Sequence, residues 1–249
     1  MSILSTQQLT HIFPNGKVAL NDINLSIQAG QFVIIGGSNG SGKTVLMRHF
    51  NGLLSPTKGE VLLEGEPITK DLTYARKNIG LIFQNSDSQI VGQTVAEDVA
   101  FGPENLKLSR EEVSRRVKES LEAVGLSDLA DQKPHTLSGG QKRKLAVAGV
   151  LAMKPKILIF DEPFTGLDHP GVRQVLKQIV RLHKNGHTIV LVTHELEITL
   201  AHADRLIIMD KGRIVRDGEP SQVIDDVELY GIRKPYGENR KVETMTWLS

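Results

Sequence analysis

The chain has 249 residues, 39% of them hydrophobic and 24% charged, with a formal net charge of +1. That length is ample for a buried core, the near-neutral charge creates no global field toward nucleic acid, and the lack of cysteine excludes disulfides and thiolate metal sites. No apolar run approaches the roughly 20 residues that span a bilayer. MSILSTQQLT has no basic stretch followed by an apolar one, so no secretory signal is expected. Any membrane role must come through a partner.

Strand and helix signals alternate along the chain. KVALNDINLSI (17–27) alternates apolar and polar residues, as a half-buried strand does. QFVIIGG is a short apolar run ending in glycines, the pattern of a buried strand that feeds a loop. Residues 43–53 read as a helix, and GEVLLEG (59–65) and NIGLIFQ (78–84) as strands. SREEVSRRVKESLEAVG (109–125) opens with Ser109 and Glu112 at capping-box spacing, and its Val113, Val117, Leu121 and Val124 share one helical face. A helix follows Gly140. Then come the strand KILIFDE (156–162), a helix over 171–184, the strand TIVLVT (188–193) and a hairpin over 205–218 that turns at Lys211-Gly212. Residues 1–84 and 155–220 supply most of the strands, and 85–154 are mainly helical. This is the layout of an α/β core with an inserted helical subdomain. The tail 221–249 is polar, with scattered Tyr230, Tyr236 and Trp247, and is too short for a further enzyme domain.

Two stretches carry phosphate chemistry. GSNGSGKT (37–44) matches G-x-x-x-x-G-K-[ST] between an apolar strand and a helix. Glycines there let backbone N–H groups curl around phosphate oxygens, and the helix N-terminus adds partial positive charge. Lys43 is placed to reach the β- and γ-phosphates and Thr44 to ligate Mg²⁺. At the carboxyl end of KILIFDE, Asp161 is placed to hold Mg²⁺ and Glu162 to polarise an attacking water. Three residues are ambiguous singly. Gln84 is a metal or water contact or a structural glutamine. His194 is a γ-phosphate contact or a loop residue. Asp168 is a ligand contact or a turn residue ahead of Pro170. LSGGQ (137–141) adds a second glycine-rich helix start, with Ser138 as N-cap type and Gly139 and Gly140 permitting close backbone approach.

In chain order, GSNGSGKT, Gln84, LSGGQ, ILIFDEP, GLD and His194 closely resemble the ATP-binding-cassette ATPases, over about residues 3–220. The resemblance implies a P-loop NTPase core, a mixed sheet flanked by helices, with an N-terminal antiparallel β part and a signature-bearing helical subdomain at 85–154. It implies ATP and Mg²⁺ as ligands. ATP would be held by Gly37, Ser38, Asn39, Gly40, Ser41, Gly42, Lys43 and Thr44, with Asp168 nearby and Phe13 stacked on adenine. Mg²⁺ would be held by Thr44, Gln84 and Asp161, with Glu162, His194 and Gln84 catalytic. Two such domains pack head to tail in that family, so Ser138, Gly139, Gly140 and Gln141 would face the ATP of a second chain.

QNSDSQIVGQTVAEDVAFGPENLKL (84–108), with LSGGQKRKLAVAGVLAMKP and DEPFTGLD, is similar to the energy-coupling-factor subgroup, which includes cobalt and nickel importer ATPases. The implied partners are a second ATPase chain, a transmembrane subunit and a small substrate-capture membrane protein. The implied place is the cytoplasmic face of the membrane, and the implied cargo a vitamin or transition-metal ion. Ile90, Val91 and Val95 are candidates for the apolar contact with the membrane subunit, or they pack internally. A cassette of another importer or exporter class is the nearest alternative. A soluble cassette working on DNA or ribosomes would carry coiled-coil insertions or a second fused cassette; the sequence has neither, and no nucleic-acid partner is expected. A GTPase would show an N-K-x-D motif, which is missing.

Overall fold

The computed structural model describes residues 2–235 and 242–248. β1 (Ser2–Ile12) and β2 (Val18–Gln28) form an antiparallel ribbon, and β3 (Phe32–Gly36) leads through a tight loop to α1 (Lys43–Phe50). β4 (Lys58–Leu63) and short β5 (Glu66–Pro67) rejoin the ribbon. α2 (Leu72–Asn78) runs straight into β6 (Ile79–Ile82). Three helices then follow: α3 (Val95–Asn105), α4 (Arg110–Val124) and α5 (Gly139–Leu151). The chain returns through β7 (Ile157–Asp161), α6 (His169–Lys184), β8 (Thr188–Val192), short α7 (Leu196–Thr199), the hairpin β9 (Arg205–Asp210) and β10 (Arg213–Gly218), and α8 (Pro220–Val223). One sheet has the antiparallel order β2-β1-β4-β5. The other has the order β10-β9-β3-β8-β7-β6 and is parallel except for β10.

The parallel strands are apolar along their middles because both faces are covered, with polar residues such as Asp161, Thr188, Arg205 and Asp210 at their ends. In β3, Phe32 and Ile34 join the core beneath α3–α6, while Val33 and Ile35 join the core shared with α1 and the antiparallel sheet. The same period-two division splits Leu158 and Phe160 from Ile157 and Ile159 in β7, and Ile189 and Leu191 from Val190 and Val192 in β8. β3, β6, β7 and β8 run in one direction, so their carboxyl ends and the loops after them share one edge.

Most expected elements are present, with three differences of physical interest. The strand expected over 78–84 is shorter: Asn78 closes α2, and Phe83 and Gln84 lie beyond β6. β1 gave no alternation signal because its register shifts between Thr6 and Leu9 and again around His11, with Gln8 at φ 49°. The expected capping box at Ser109 is half formed. Ser109 Oγ accepts from the Glu112 N–H, but the Glu112 carboxylate is engaged by Arg115 and Arg116. The hairpin turns where expected, with Lys211 at φ 45° and Gly212 at φ 75°, the two left-handed positions of a tight turn. In the tail, Tyr230 packs on the main core beneath Arg216, and Trp247 lies against His169; Tyr236 is outside the described residues.

The seat of β6 depends on Gly80. A Cβ there would lie 2.2 Å from Val150 Cγ1 of α5. Gly80→Ala is therefore expected to lose about 1–3 kcal/mol in urea unfolding through overpacking. Adding Val150→Ala should recover part of that loss; a neutral single variant would show that the helix is not held so close.

Candidate active site

The loop between β3 and α1 is shaped by what crowds it. A Cβ on Gly37 (φ 153°) would sit 2.4 Å from Met209 O and 2.5 Å from Ser41 Oγ. Gly42 (φ 107°) opens α1 in a left-handed conformation, and a Cβ there would meet Ala19 O at 2.8 Å. The β9–β10 hairpin locks this arrangement: Gly212 N–H donates to Ser41 O at 2.9 Å, and Asn21 N–H donates to Gly212 O at 2.9 Å. Lys43, the first residue of α1, donates from Nζ to Gly37 O (2.7 Å) and Ser38 O (3.0 Å), which holds the ammonium across the loop. Burial lowers its pKa, and the charges of Glu162 and Asp161 act against that shift.

The acidic pair closes the cleft from β7. Asp161 is buried, and its carboxyl is pushed up to about 6, by burial first and then by the Glu162 charge, with Lys43, Arg48 and Arg143 pulling it down. Glu162 is a non-glycine residue at φ 45°, a conformation that costs of order 1–3 kcal/mol and collects at functional sites. Its Oε1 accepts from His194 Nδ1 at 3.0 Å, while Oε2 is buried without a hydrogen-bond partner among the described residues. With Nδ1 donating, the neutral His194 ring keeps Nε2 as an acceptor and the protonated ring offers it as a donor.

A cleft of about 540 Å³ gathers Asn39, Gly40, Ser41, Gly42, Lys43, Thr44, Gln84, Asp161, Glu162, His194 and Phe13. Gly37 and Ser38 touch it through the carbonyls that hold Lys43. Phe13 stands edge-on to His11, with ring centroids 4.9 Å apart. The cleft also takes Lys17, Val18, Ala19, Thr165, Lys211 and Gly212. These lie far apart in sequence and match no motif; the turn at Lys211-Gly212 was the one available signal.

Five of the expected ligand residues are elsewhere. Ser138, Gly139, Gly140, Gln141 and Asp168 line a second cleft, of about 650 Å³, that shares no lining residue with the first. Ser138 caps α5 in a full capping box: its Oγ accepts from the Gln141 N–H, and Gln141 Oε1 accepts from the Ser138 N–H at 2.8 Å. Nothing lies within 4 Å of a Cβ built on Gly139 or Gly140, so that helix end is open to an incoming group. Asp168 is the N-cap of α6, accepting from Gly171 N–H at 2.9 Å, and a Cβ on Gly171 would fall 2.8 Å from Asp168 Oδ1, so a larger residue there would shift that cap. The expected apolar triplet divides as well. Val95 is fully buried and Ile90 packs on the core; Val91 alone stands out, 61% exposed.

A family model described as ABC transporter matches residues 20–165. The energy-coupling factor transporter ATP-binding protein EcfA of Methanocaldococcus jannaschii is 47% identical over 237 residues, 94% of this chain and 84% of that relative. EcfA2 of Clostridium perfringens is 46% identical over 90% of this chain and 82% of its own length. The chain belongs to the ABC transporter family. Within it, the cassette falls among the energy-coupling-factor ATPases. Its fold matches the solved cbiO1 of Clostridium perfringens, part of the transporter complex cbiONQ, with a TM-score of 0.83 and 39% identity over 92% of both chains. It also matches the dimeric cassette MJ0796 bound to ADP and Pi in a post-hydrolysis state, with a TM-score of 0.77 and 31% identity over 87% of this chain and 98% of that one.

Two outcomes follow from the geometry of the cleft. Gly37→Ala should abolish nucleotide binding in calorimetry, because the added methyl must displace either the Met209 carbonyl or the loop. The second concerns pH. Asp161 ionises near 3.8 when unfolded and near 6 when folded, so folding opposes its charge. The penalty is absent below about pH 4, grows toward about pH 6 and is constant above that. In metal-free and nucleotide-free buffer, Asp161→Asn should therefore be more stable than the parent at neutral pH. The gap should close as the pH falls below about 4.

Proposed function

We propose that this cassette is the ATP-hydrolysing motor of an energy-coupling-factor importer and that it works as one half of a two-chain site. One observation carries the reading. A single chain has both an open phosphate cleft and an open glycine-rich helix start, and its own fold keeps them apart. A second cassette placed head to tail would bring the signature helix of each chain against the nucleotide of the other.

In this reading the backbone N–H groups of residues 37–44 and Lys43 hold the ATP phosphates, and Phe13 supports the adenine through its ring face. The N-terminus of the partner's α5 would add a second positive pole at the γ-phosphate. Glu162 orients the attacking water. Its Oε1 is fixed by His194, and its unpartnered Oε2 is the oxygen available to that water. The oxygen donors of Thr44, Gln84 and Asp161 share the cleft and suit a hard cation. They would hold Mg²⁺, which when bound offsets phosphate charge. Asp168 acts by capping α6 beside the signature cleft, so its part is to shape the surface that meets the partner.

The membrane partners are a transmembrane subunit and a small capture protein for a vitamin or transition-metal ion. EcfA is a transporter component by name and cbiO1 is part of a transporter complex. In this chain the loop after Gln84 projects Val91 outward, and no helix among the described residues is long and apolar enough to cross a membrane. The cassette would thus act from the cytoplasmic face as a peripheral subunit.

Glu162→Gln should bind Mg-ATP about as well as the parent while turnover falls roughly 100-fold or more. A near-normal rate would remove Glu162 from its role. The same variant, tagged and recovered from gently solubilised membranes with Mg-ATP, should bring down a polytopic membrane protein and a small hydrophobic one. Recovery of ribosomal or DNA-repair proteins alone would overturn the importer reading.

A further inference from the structure

Arg143 is a buried cation that the reaction scheme above does not use. It lies on α5, one and a half turns beyond Ser138, and is 5% exposed. Its Nη1 donates to Phe83 O at 2.7 Å, and its Nε is buried with no partner among the described residues. Burial works against its charge, and Asp161 is the anion that supports it. The guanidinium therefore ties the signature helix to the residue just before Gln84, within the field of the carboxylate at the end of β7.

The register of α5 on β6 gives this contact its leverage. Val150 of α5 presses on Gly80, and Arg143 reaches Phe83. Seven helical residues cover about 10.5 Å, and three strand residues cover about 10 Å. The helix thus lies antiparallel along the strand with two matched contact points, one apolar and one polar. Phe83 is further fixed by Gln89, whose Oε1 accepts from Phe83 N–H at 3.2 Å and whose Nε2 donates to Leu81 O at 3.0 Å. On the other side of Gln84, Lys142 pairs with Asp87 at 2.7 Å. Asp87 is largely exposed, so that bridge is the weaker hold. Two consecutive residues of the signature helix thus straddle Gln84, and the buried one is Arg143.

We propose that Arg143 is a positioning residue: it ties the signature turn Ser138–Gly140 to Gln84, so that a shift of Gln84 toward bound nucleotide moves the helix that a second chain must meet. The inference rests on the nucleotide-facing role given to Gln84 above. Its physical basis is that a buried charged hydrogen bond resists breaking more than the packing around it resists sliding, so the strand end and the helix travel as one body. A lysine could hold a single carbonyl. It lacks the planar fork that fixes the direction of the bond to the Phe83 carbonyl.

The chain has no cysteine, so labels can be introduced at chosen sites. Spin labels at Lys118→Cys in α4 and Lys58→Cys in β4 would report the distance between the helical part and the antiparallel sheet. The measurement uses the full chain with Mg²⁺ and a non-hydrolysable ATP analogue, diluted until sedimentation shows single chains. Nucleotide should shift this distance in the parent. In Arg143→Met the shift should be at least halved, with nucleotide affinity changed less than about twofold and the unfolding midpoint kept, because an apolar side chain of similar length replaces a poorly paired buried cation at little cost. Arg143→Lys should give an intermediate shift, and Lys142→Ala nearly the full one.

A full shift in Arg143→Met overturns the proposal. So does a parallel loss of affinity and stability, which would make Arg143 a packing residue. If Arg143→Met does not fold, Arg143→Lys decides: a full shift there also overturns it. If nucleotide moves nothing in the parent, both the tie and the Gln84 reading fall. If the parent and the variants move alike, the tie alone falls.

Discussion

The approach of Ala19, Met209 and Gly212 to the loop after β3 is the constraint from which the rest of the site follows. The carbonyl oxygens of Met209 and Ala19 lie 2.4 Å and 2.8 Å from where Cβ atoms on Gly37 and Gly42 would be, and the Gly212 N–H holds Ser41 O. The loop is therefore confined to one path, and α1 must begin at Lys43. That path turns the Lys43 ammonium back over Gly37 and Ser38. The antiparallel sheet and the β9–β10 hairpin thus do more than cover a hydrophobic face. They are the mould in which the phosphate loop sets.

Around that mould the parallel sheet concentrates charge where water is scarce. Lys43, which opens α1 after β3, meets Asp161 and Glu162 from the end of β7 at one edge of the sheet, and burial acts against the charges of Lys43 and Asp161. Lys43 and Asp161 each ease the other's charge, whereas the Glu162 charge eases Lys43 and works against Asp161. A ligand that brings phosphate and a divalent cation would satisfy several of these groups at once. The left-handed backbone of Glu162 and its single bond to His194 fit a site where strain is held in place by rigid strands on either side.

The signature helix completes the picture by being turned away. Its N-terminus is capped by Ser138 and Gln141 from within, which rigidifies the turn, while Gly139 and Gly140 leave the outer face open. The same economy appears at Asp168, whose side chain caps α6 on the wall of that same cleft. Motif residues here act first on their own helix ends, and the surface they shape is what another chain meets.

Local chemistry determined a good deal from sequence alone. Glycine spacing before Lys43, an apolar strand ending in Asp161-Glu162, and Ser138 ahead of a helix each depend on residues a few positions apart, so order and type suffice to find them. The alternating and continuous apolar runs located nearly all the strands of the larger sheet for the same reason. Tertiary structure decided what depends on distant segments meeting. β1 was illegible because bulges break its alternation. Val95 and Val91, four residues apart and alike in type, became core and surface because α3 begins between them. Lys17, Ala19, Lys211 and Gly212 entered the nucleotide cleft because a ribbon and a hairpin cross there. The separation of the two glycine-rich helix starts into two clefts is likewise a matter of sheet order and helix direction. No local pattern encodes it, because it arises from where α5 is laid along β6.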